Sequence, residues 1–142
     1  MTKIGTSGWS YDHWIGCFYH EKLPKSDWLK FYAKRFSIVE VNSTFYRLPF
    51  KNIVKSWDKK IPEIFIFSIK GPKKITHIQK LKEIDEFLKK FYERIEYIKS
   101  KTSNILWQLP PSLKKDEVLL ENFLTKLDKS YNYTIEFRDN SW

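Results

Sequence analysis

One cysteine, Cys17, is all the chain offers, so no disulfide can close within it. A lone thiol suits a reducing compartment, and the cytoplasm is the expected location. Cys17 lies in an aromatic-rich stretch without metal-type spacing and reads as a partly buried thiol. Histidine is scarce too: His13, His20 and His77 show no paired ligand spacing, so no metal site is expected. Only 4 glycines and 6 prolines occur, too few for a linker or a low-complexity chain. No G-x-G-x-x-G or G-x-x-x-x-G-K loop follows any apolar run, which argues against a nucleotide fold and leaves no cofactor implied. No apolar stretch approaches the roughly 20 residues of a membrane span. The start, Met1-Thr2-Lys3-Ile4-Gly5, lacks the apolar region of a signal peptide, so none is expected.

Arginine is also rare. The net charge is +9, yet of 26 basic residues only Arg35, Arg47, Arg94 and Arg138 are arginine. Readers of nucleic acid favour the bidentate guanidinium. Lysines scattered among isoleucines read as compositional bias, so a nucleic-acid partner is kept as an alternative and not favoured.

What the chain does have is alternation. Short runs rich in Ile, Val, Phe and Tyr fall at Lys3–Ser7, Ile38–Asn42, Phe65–Lys70, Asn104–Leu109 and Tyr133–Arg138, bounded by Gly, Pro, Asn or Ser. Helical patterns separate them. The first begins near Ser26-Asp27 and buries Leu29, Tyr32 and Phe36; the second, Asn52–Lys60, sets Ile53 and Trp57 on one side. In the third, Leu81, Ile84, Leu88, Phe91, Ile95 and Ile98 recur at steps of three and four. The fourth carries Leu120, Phe123, Leu124 and Leu127 behind Asp116-Glu117, acids that suit a helix start. The order βαβαβαβαβ requires a parallel sheet with helices outside it. Periodicity alone leaves barrel and doubly wound sheet both open.

Face parity is more informative. Side chains alternate along a strand. Glu40 and Asn42 oppose Val39 and Val41; Ser68 and Lys70 oppose Phe65, Phe67 and Ile69; Gln108 opposes Ile105, Trp107 and Leu109; Thr134, Glu136 and Arg138 oppose Ile135 and Phe137. The apolar faces suit a helix layer. The polar faces then look into a barrel interior, with their charges toward the strands' C-terminal ends, where barrel enzymes hold their active sites. Unpaired burial of such charges would cost several kcal/mol, so they need each other, water or a ligand. Glu40 and Glu136 are candidate general acid/base groups, Lys70 a charge stabiliser and His77 an acid or base. Ser7, Trp9, Asn42, Tyr46, Gln108 and Arg138 are candidate ligand contacts, the aromatics for stacking on a sugar or base. Against this stands an ion network that merely plugs the interior, with the loop aromatics packed on neighbouring loops.

The stretches Ile4-Gly5-Thr6-Ser7-Gly8-Trp9-Ser10-Tyr11, Trp14-Ile15-Gly16 to Phe18-Tyr19, and Val39 through Arg47 form one ordered set with Lys70, Ile75-Thr76-His77, Gln108 to Ser112, Glu136-Phe137-Arg138 and Ser141-Trp142. This set resembles the YecE-like family, the domain of unknown function 72, along the whole chain. The resemblance implies an α/β TIM barrel with these motifs on strand ends and loops, and no settled activity. Its similarity to sugar isomerases and abasic-site nucleases is analogy of fold. Asp139-Asn140 departs from the family's His-Pro-like turn, and the family continues through three more units. The expectation is an incomplete barrel: one truncated or split domain over residues 1–142, with about five parallel strands and outer helices. Three functions remain open: an enzyme binding a small polar or anionic ligand (a sugar, phosphate or nucleotide derivative), a nucleic-acid-binding module, or a non-catalytic remnant that self-associates or pairs with a second chain supplying the missing strands.

Overall fold

A computed structural model describes residues 2–142. Four parallel strands form one sheet: β1 (Ile38–Val41), β2 (Ile66–Lys70), β3 (Thr102–Gln108) and β4 (Tyr133–Glu136). Their spatial order is their chain order, β1-β2-β3-β4. Helices α1 (Trp28–Tyr32), α2 (Ser43–Tyr46), α3 (Lys51–Lys60), α4 (Asp85–Ile95) and α5 (Glu117–Lys126) accompany them, α2 and α3 both lying between β1 and β2. Asp116 caps α5 by accepting a 2.9 Å hydrogen bond from the Leu119 amide.

The dry side of the sheet is built from Val39, Val41, Phe67, Ile69, Ile105 and Trp107, all inaccessible to solvent. Against them pack Tyr32, Val54, Ile84, Leu88, Phe91, Ile95, Ile98 and Phe123 from the helix layer and its connections. Trp107 meets Phe91 and Phe123 edge-on, with ring centroids 5.6 and 5.3 Å apart. Such a water-free face accounts for most of the driving force that fixes the sheet's orientation.

The first apolar run departs from expectation. Lys3–Ser7 is not a strand of the sheet: Ser7 makes a single parallel bridge with Glu40. Two backbone hydrogen bonds hold the segment beside β1, Glu40 N–H to Thr6 O (3.0 Å) and Gly8 N–H to Glu40 O (2.8 Å). Tyr32 supplies the remaining anchor, its hydroxyl accepting from the Thr6 amide at 2.9 Å and donating to Ile38 O at 3.1 Å. Ile4 is exposed and contributes no core contact that would extend the pairing. Four strands therefore stand where five were expected.

The helical stripes mostly hold. Leu81, Ile84, Leu88, Phe91, Ile95 and Ile98 are all buried, but one continuous helix does not carry them. Lys80, Leu81 and Glu83 have positive φ, α4 starts at Asp85, and Ile98 sits in a following 3-10 segment, Glu96–Lys101. In α3 the buried residue is Val54, while Ile53 is largely exposed. Cys17 is exposed rather than partly buried.

Gly71, at the end of β2, lets the chain pass directly over Trp107. A Cβ there would lie 2.2 Å from the indole ring of a fully buried side chain. Gly71→Ala is expected to destabilise the fold by about 1–3 kcal/mol, the usual cost of overpacking a filled core. Chemical denaturation with an unchanged midpoint would show that the Trp107 contact is not rigid.

Candidate functional site

The face of the sheet opposite the core carries Glu40, Ser68, Lys70, Asn104, Leu106, Gln108, Thr134 and Glu136. Ladder register aligns Glu40 with Ser68, Ser68 with Asn104, and Gln108 with Glu136. An irregularity at Phe67/Ser68 skips Ser103 in the pairing, so Asn104 and not Ser103 shares a face with Ser68. Glu40 and Glu136 therefore lie on the same side.

Two hydrogen-bonded groups form on this face. At the first, Ser7 Oγ donates to Glu40 Oε1 at 2.8 Å, and Asn42 Nδ2 donates to Ser7 Oγ. At the second, Gln108 Nε2 donates to Glu136 Oε2 at 2.9 Å and Arg138 Nε donates to Glu136 Oε1 at 2.7 Å. The Gln108 bond first, and then the Arg138 bond, hold the Glu136 carboxyl below its ordinary range. With both oxygens engaged, Glu136 stays ionised and orients its neighbours. Glu40 accepts one side-chain hydrogen bond, leaving a carboxylate oxygen to act on a ligand.

Lys70 joins neither group through an ion pair. Its ammonium sits 4.5 Å from the centre of the Phe45 ring. Phe45 also meets His77 edge-on, with centroids 5.0 Å apart. The segment after β1 gains this position from Thr44, whose buried hydroxyl lies 2.8 Å from Val41 O and 2.6 Å from Lys70 O and shares its single proton between them. That pair of bonds ties the end of β1 to the end of β2. His77 is carried by a single π-helical turn, Lys74–Ile78, which buries Ile75 and Thr76. Wide turns of this kind often accompany functional residues. Thr76 Oγ1 lies 2.8 Å from His77 Nδ1. Desolvation, followed by the charges of Lys70, Arg138 and Lys73, pushes the His77 pKa down, so its imidazole is neutral near pH 7 and able to accept a proton.

Trp9 and Tyr46 come together beside Asn42. With Gly8, Ser10, Tyr11, Asn42 and Ser43 they line a cleft of about 240 Å³. Tyr46 is 70% exposed. A roomier groove of about 390 Å³ opens over the outer helices, lined in part by Asp85, Lys99, Lys126 and Asp128. Its charges close on each other, Lys126 with Asp85 at 2.6 Å and Lys99 with Asp128 at 4.0 Å, and it is remote from the polar face of the sheet. Among the described residues no three His, Cys, Asp or Glu side chains gather as a metal ion would require. Among the described residues no helix is long and apolar enough to cross a membrane.

Parity on the strands put Glu40, Lys70, Gln108 and Glu136 on one face, whereas β4 ends at Glu136, so Arg138 lies past the strand and Phe137 is exposed instead of facing the helices. Parity passed over Phe45, which reads as loop packing, and Lys73, which has no strand parity to mark it. The adjacent pairs Phe45-Tyr46 and Lys73-Lys74 in loops after polar-ended strands were the available signal.

Residues 3–142 match the family described as Protein of unknown function DUF72. The chain belongs to this family. It is 30% identical over 139 residues to the UPF0759 protein YecE of Escherichia coli (strain K12), covering 97% of this chain and 48% of that protein. It is 29% identical to the UPF0759 protein YunF of Bacillus subtilis (strain 168), covering 100% of this chain and 52% of that protein. Among solved structures, a DUF72 family protein from Thermotoga maritima superposes with a TM-score of 0.79 at 35% identity, over 99% of this chain and 56% of that one. One from Enterococcus faecalis V583 gives a TM-score of 0.80 at 26% identity, over 100% of this chain and 52% of that one. The chain thus spans about half the length of the curated relatives it matches.

The environment of His77 has a direct consequence. Its imidazole protons, followed by NMR, are expected to titrate below the roughly 6.5 of an unperturbed histidine. Because the folded pKa is depressed, the contribution of neutral His77 to stability is present above the unfolded value and lost as pH falls through the folded one. In Lys70→Gln the midpoint moves up. A midpoint unchanged by that substitution would show that Lys70 does not act on the ring.

Proposed function

We propose that this DUF72 chain forms part of a TIM-type barrel and binds a small polar or anionic ligand at the C-terminal ends of its strands, with general acid–base chemistry by Glu40 and His77. The barrel reading is supported by sequential parallel strand order, with residues 6–8 alongside β1, since a doubly wound sheet reverses its order part-way. One observation carries the ligand reading: Lys70, at the end of the polar face, rests on an aromatic ring and makes no ion pair among the described residues, while the nearby Glu136 carboxylate is taken by Gln108 and Arg138. Structural ion networks pair their charges, whereas Lys70 is left for an anion. In this arrangement Glu136 and Gln108 position Arg138, Ser7 and Asn42 position Glu40, and Trp9 and Tyr46 contact the body of the ligand. We place the protein in the cytoplasm.

Nucleic acid is the weaker alternative. Lys25, Lys90, Lys99, Lys101, Lys115 and Lys126 are each paired with an acid, and these pairs are spread over the helix layer and its connections. These six lysines are dispersed and paired, so they do not make a backbone-tracking stripe.

A second reading concerns assembly. Among the described residues β4 pairs with β3 alone, and we propose that its other edge takes a strand from a second chain or another copy. Light scattering during size-exclusion chromatography should give a mass above 17.3 kDa. A monodisperse monomer with a cooperative thermal transition would remove this reading.

The ligand proposal is tested by thermal-shift screening against polar and anionic metabolites. A true binder stabilises by about 2.7 kcal/mol at a hundredfold excess over Kd. The shift should disappear in Glu40→Gln and Arg138→Gln and survive in Lys126→Gln on the outer helices. Binders that ignore the first two substitutions would place the site elsewhere.

A further inference from the structure

We infer that the mouth takes a phosphomonoester with a single-ring body, its phosphate held by Lys70, Lys73 and Arg138 and its ring against Tyr46. The inference rests on the ligand reading above and narrows it to one chemical class.

The cations come first. Lys70 stands over Phe45, and Lys73 stands 5.3 Å from the centre of the Tyr46 ring. Phe45 and Tyr46 are themselves in edge contact, with centroids 5.1 Å apart. Two ammonium groups therefore rest on adjacent rings, and neither makes an ion pair among the described residues. Both lysines are half-buried, and a cation–π contact, worth about 0.5–1 kcal/mol at an exposed site and about 2 kcal/mol when desolvated, leaves their charge unneutralised and open to an anion. The four-carbon stems are flexible, so both ammonium groups can close on one phosphate. Arg138 engages Glu136 through Nε, which leaves its terminal nitrogens for the same oxygens. Against two lysines and an arginine the only carboxylate in the group is Glu136, and it is already bonded to Gln108 and Arg138. The surplus is positive, and a dianionic phosphate neutralises it better than a monoanionic carboxylate.

Tyr46 connects this group to the cleft. It carries Lys73 on its ring and lines the cleft with Trp9, Tyr11, Asn42 and Ser43. A volume of about 240 Å³ is below the roughly 300–1,000 Å³ of drug-sized pockets, which suits one ring and excludes a dinucleotide. Aromatic walls with an amide and hydroxyls among them suit either a sugar ring or an aromatic ring, so the class is defined by phosphate plus one ring.

Calorimetric titration of the full chain with inorganic phosphate, phenyl phosphate, ribose 5-phosphate and ribose decides the matter. At least one ring-bearing phosphate should bind tenfold or more tighter than inorganic phosphate and than ribose. Lys73→Gln, a surface change that cannot empty the core, should weaken phosphate and the ring phosphate alike by about tenfold; Lys70→Gln should do the same. Tyr46→Ala should weaken the ring phosphate and leave inorganic phosphate unchanged. The inference is overturned if phosphate binding ignores both lysine substitutions, or if neither ring phosphate exceeds inorganic phosphate. Should ribose bind as well as ribose 5-phosphate, with sensitivity to Glu40→Gln, the polar-ligand reading stands and the phosphate class falls. Single-stranded oligonucleotide binding below micromolar with a steep salt slope would also overturn it, in favour of a nucleic-acid partner.

Discussion

Trp107 is fully buried: Gly71 passes over its ring, and Phe91 and Phe123 meet it edge-on. With Val41, Ile69 and Ile105 it commits one face of the sheet to the helices, and the alternation of side chains commits the other face by exclusion. A slip of one residue in any strand would exchange Lys70 for Ile69, or Gln108 for Trp107, and bury a polar group in a dry layer. The polar face is thus a consequence of packing on its far side. The skipped residue at Ser103 serves the same end, since it keeps Asn104 in step with Ser68 while the core residues of β2 and β3 stay aligned.

That constraint also separates the two carboxylates chemically. Glu40 lies beside the bridged N-terminal segment and accepts from Ser7, whereas Glu136 is held by Gln108 and Arg138. One is left with an oxygen to spare, the other is fully engaged and kept ionised. His77 completes the contrast, since three neighbouring cations and a partly desolvated position make it a neutral base close to groups that attract anions. A neutral imidazole beside unpaired cations is the arrangement that the proposed proton transfer and charge neutralisation on one small ligand would use. The DUF72 relatives share the fold over about half their length, and the residues of the mouth lie wholly within the shared part.

Much of this was legible in the residues. Alternating runs in β1 to β4 set which side chains share a face, because a period of two leaves no choice once Val39, Phe67 and Trp107 are inside. The stripe from Leu81 to Ile98 likewise marked the buried positions correctly. It did not show that Lys80, Leu81 and Glu83 take positive φ and delay the helix to Asp85, since apolar spacing records burial and says little about backbone shape. Lys3–Ser7 carried a strand's composition, but pairing depends on a neighbour's backbone, and only Thr6 to Gly8 find one.

By itself, then, the sequence determined the α/β class, the four strands from β1 to β4 and the polar face with Glu40, Lys70, Gln108 and Glu136. These follow from local periodicity and from the cost of burying charge. Tertiary structure alone decided that Glu136 is spent on Gln108 and Arg138, that Lys70 and Lys73 rest on the neighbouring rings of Phe45 and Tyr46, and that His77 turns toward them on a π-helical turn. Those contacts join loops and strand ends far apart in the chain, and no periodicity encodes a distance between them.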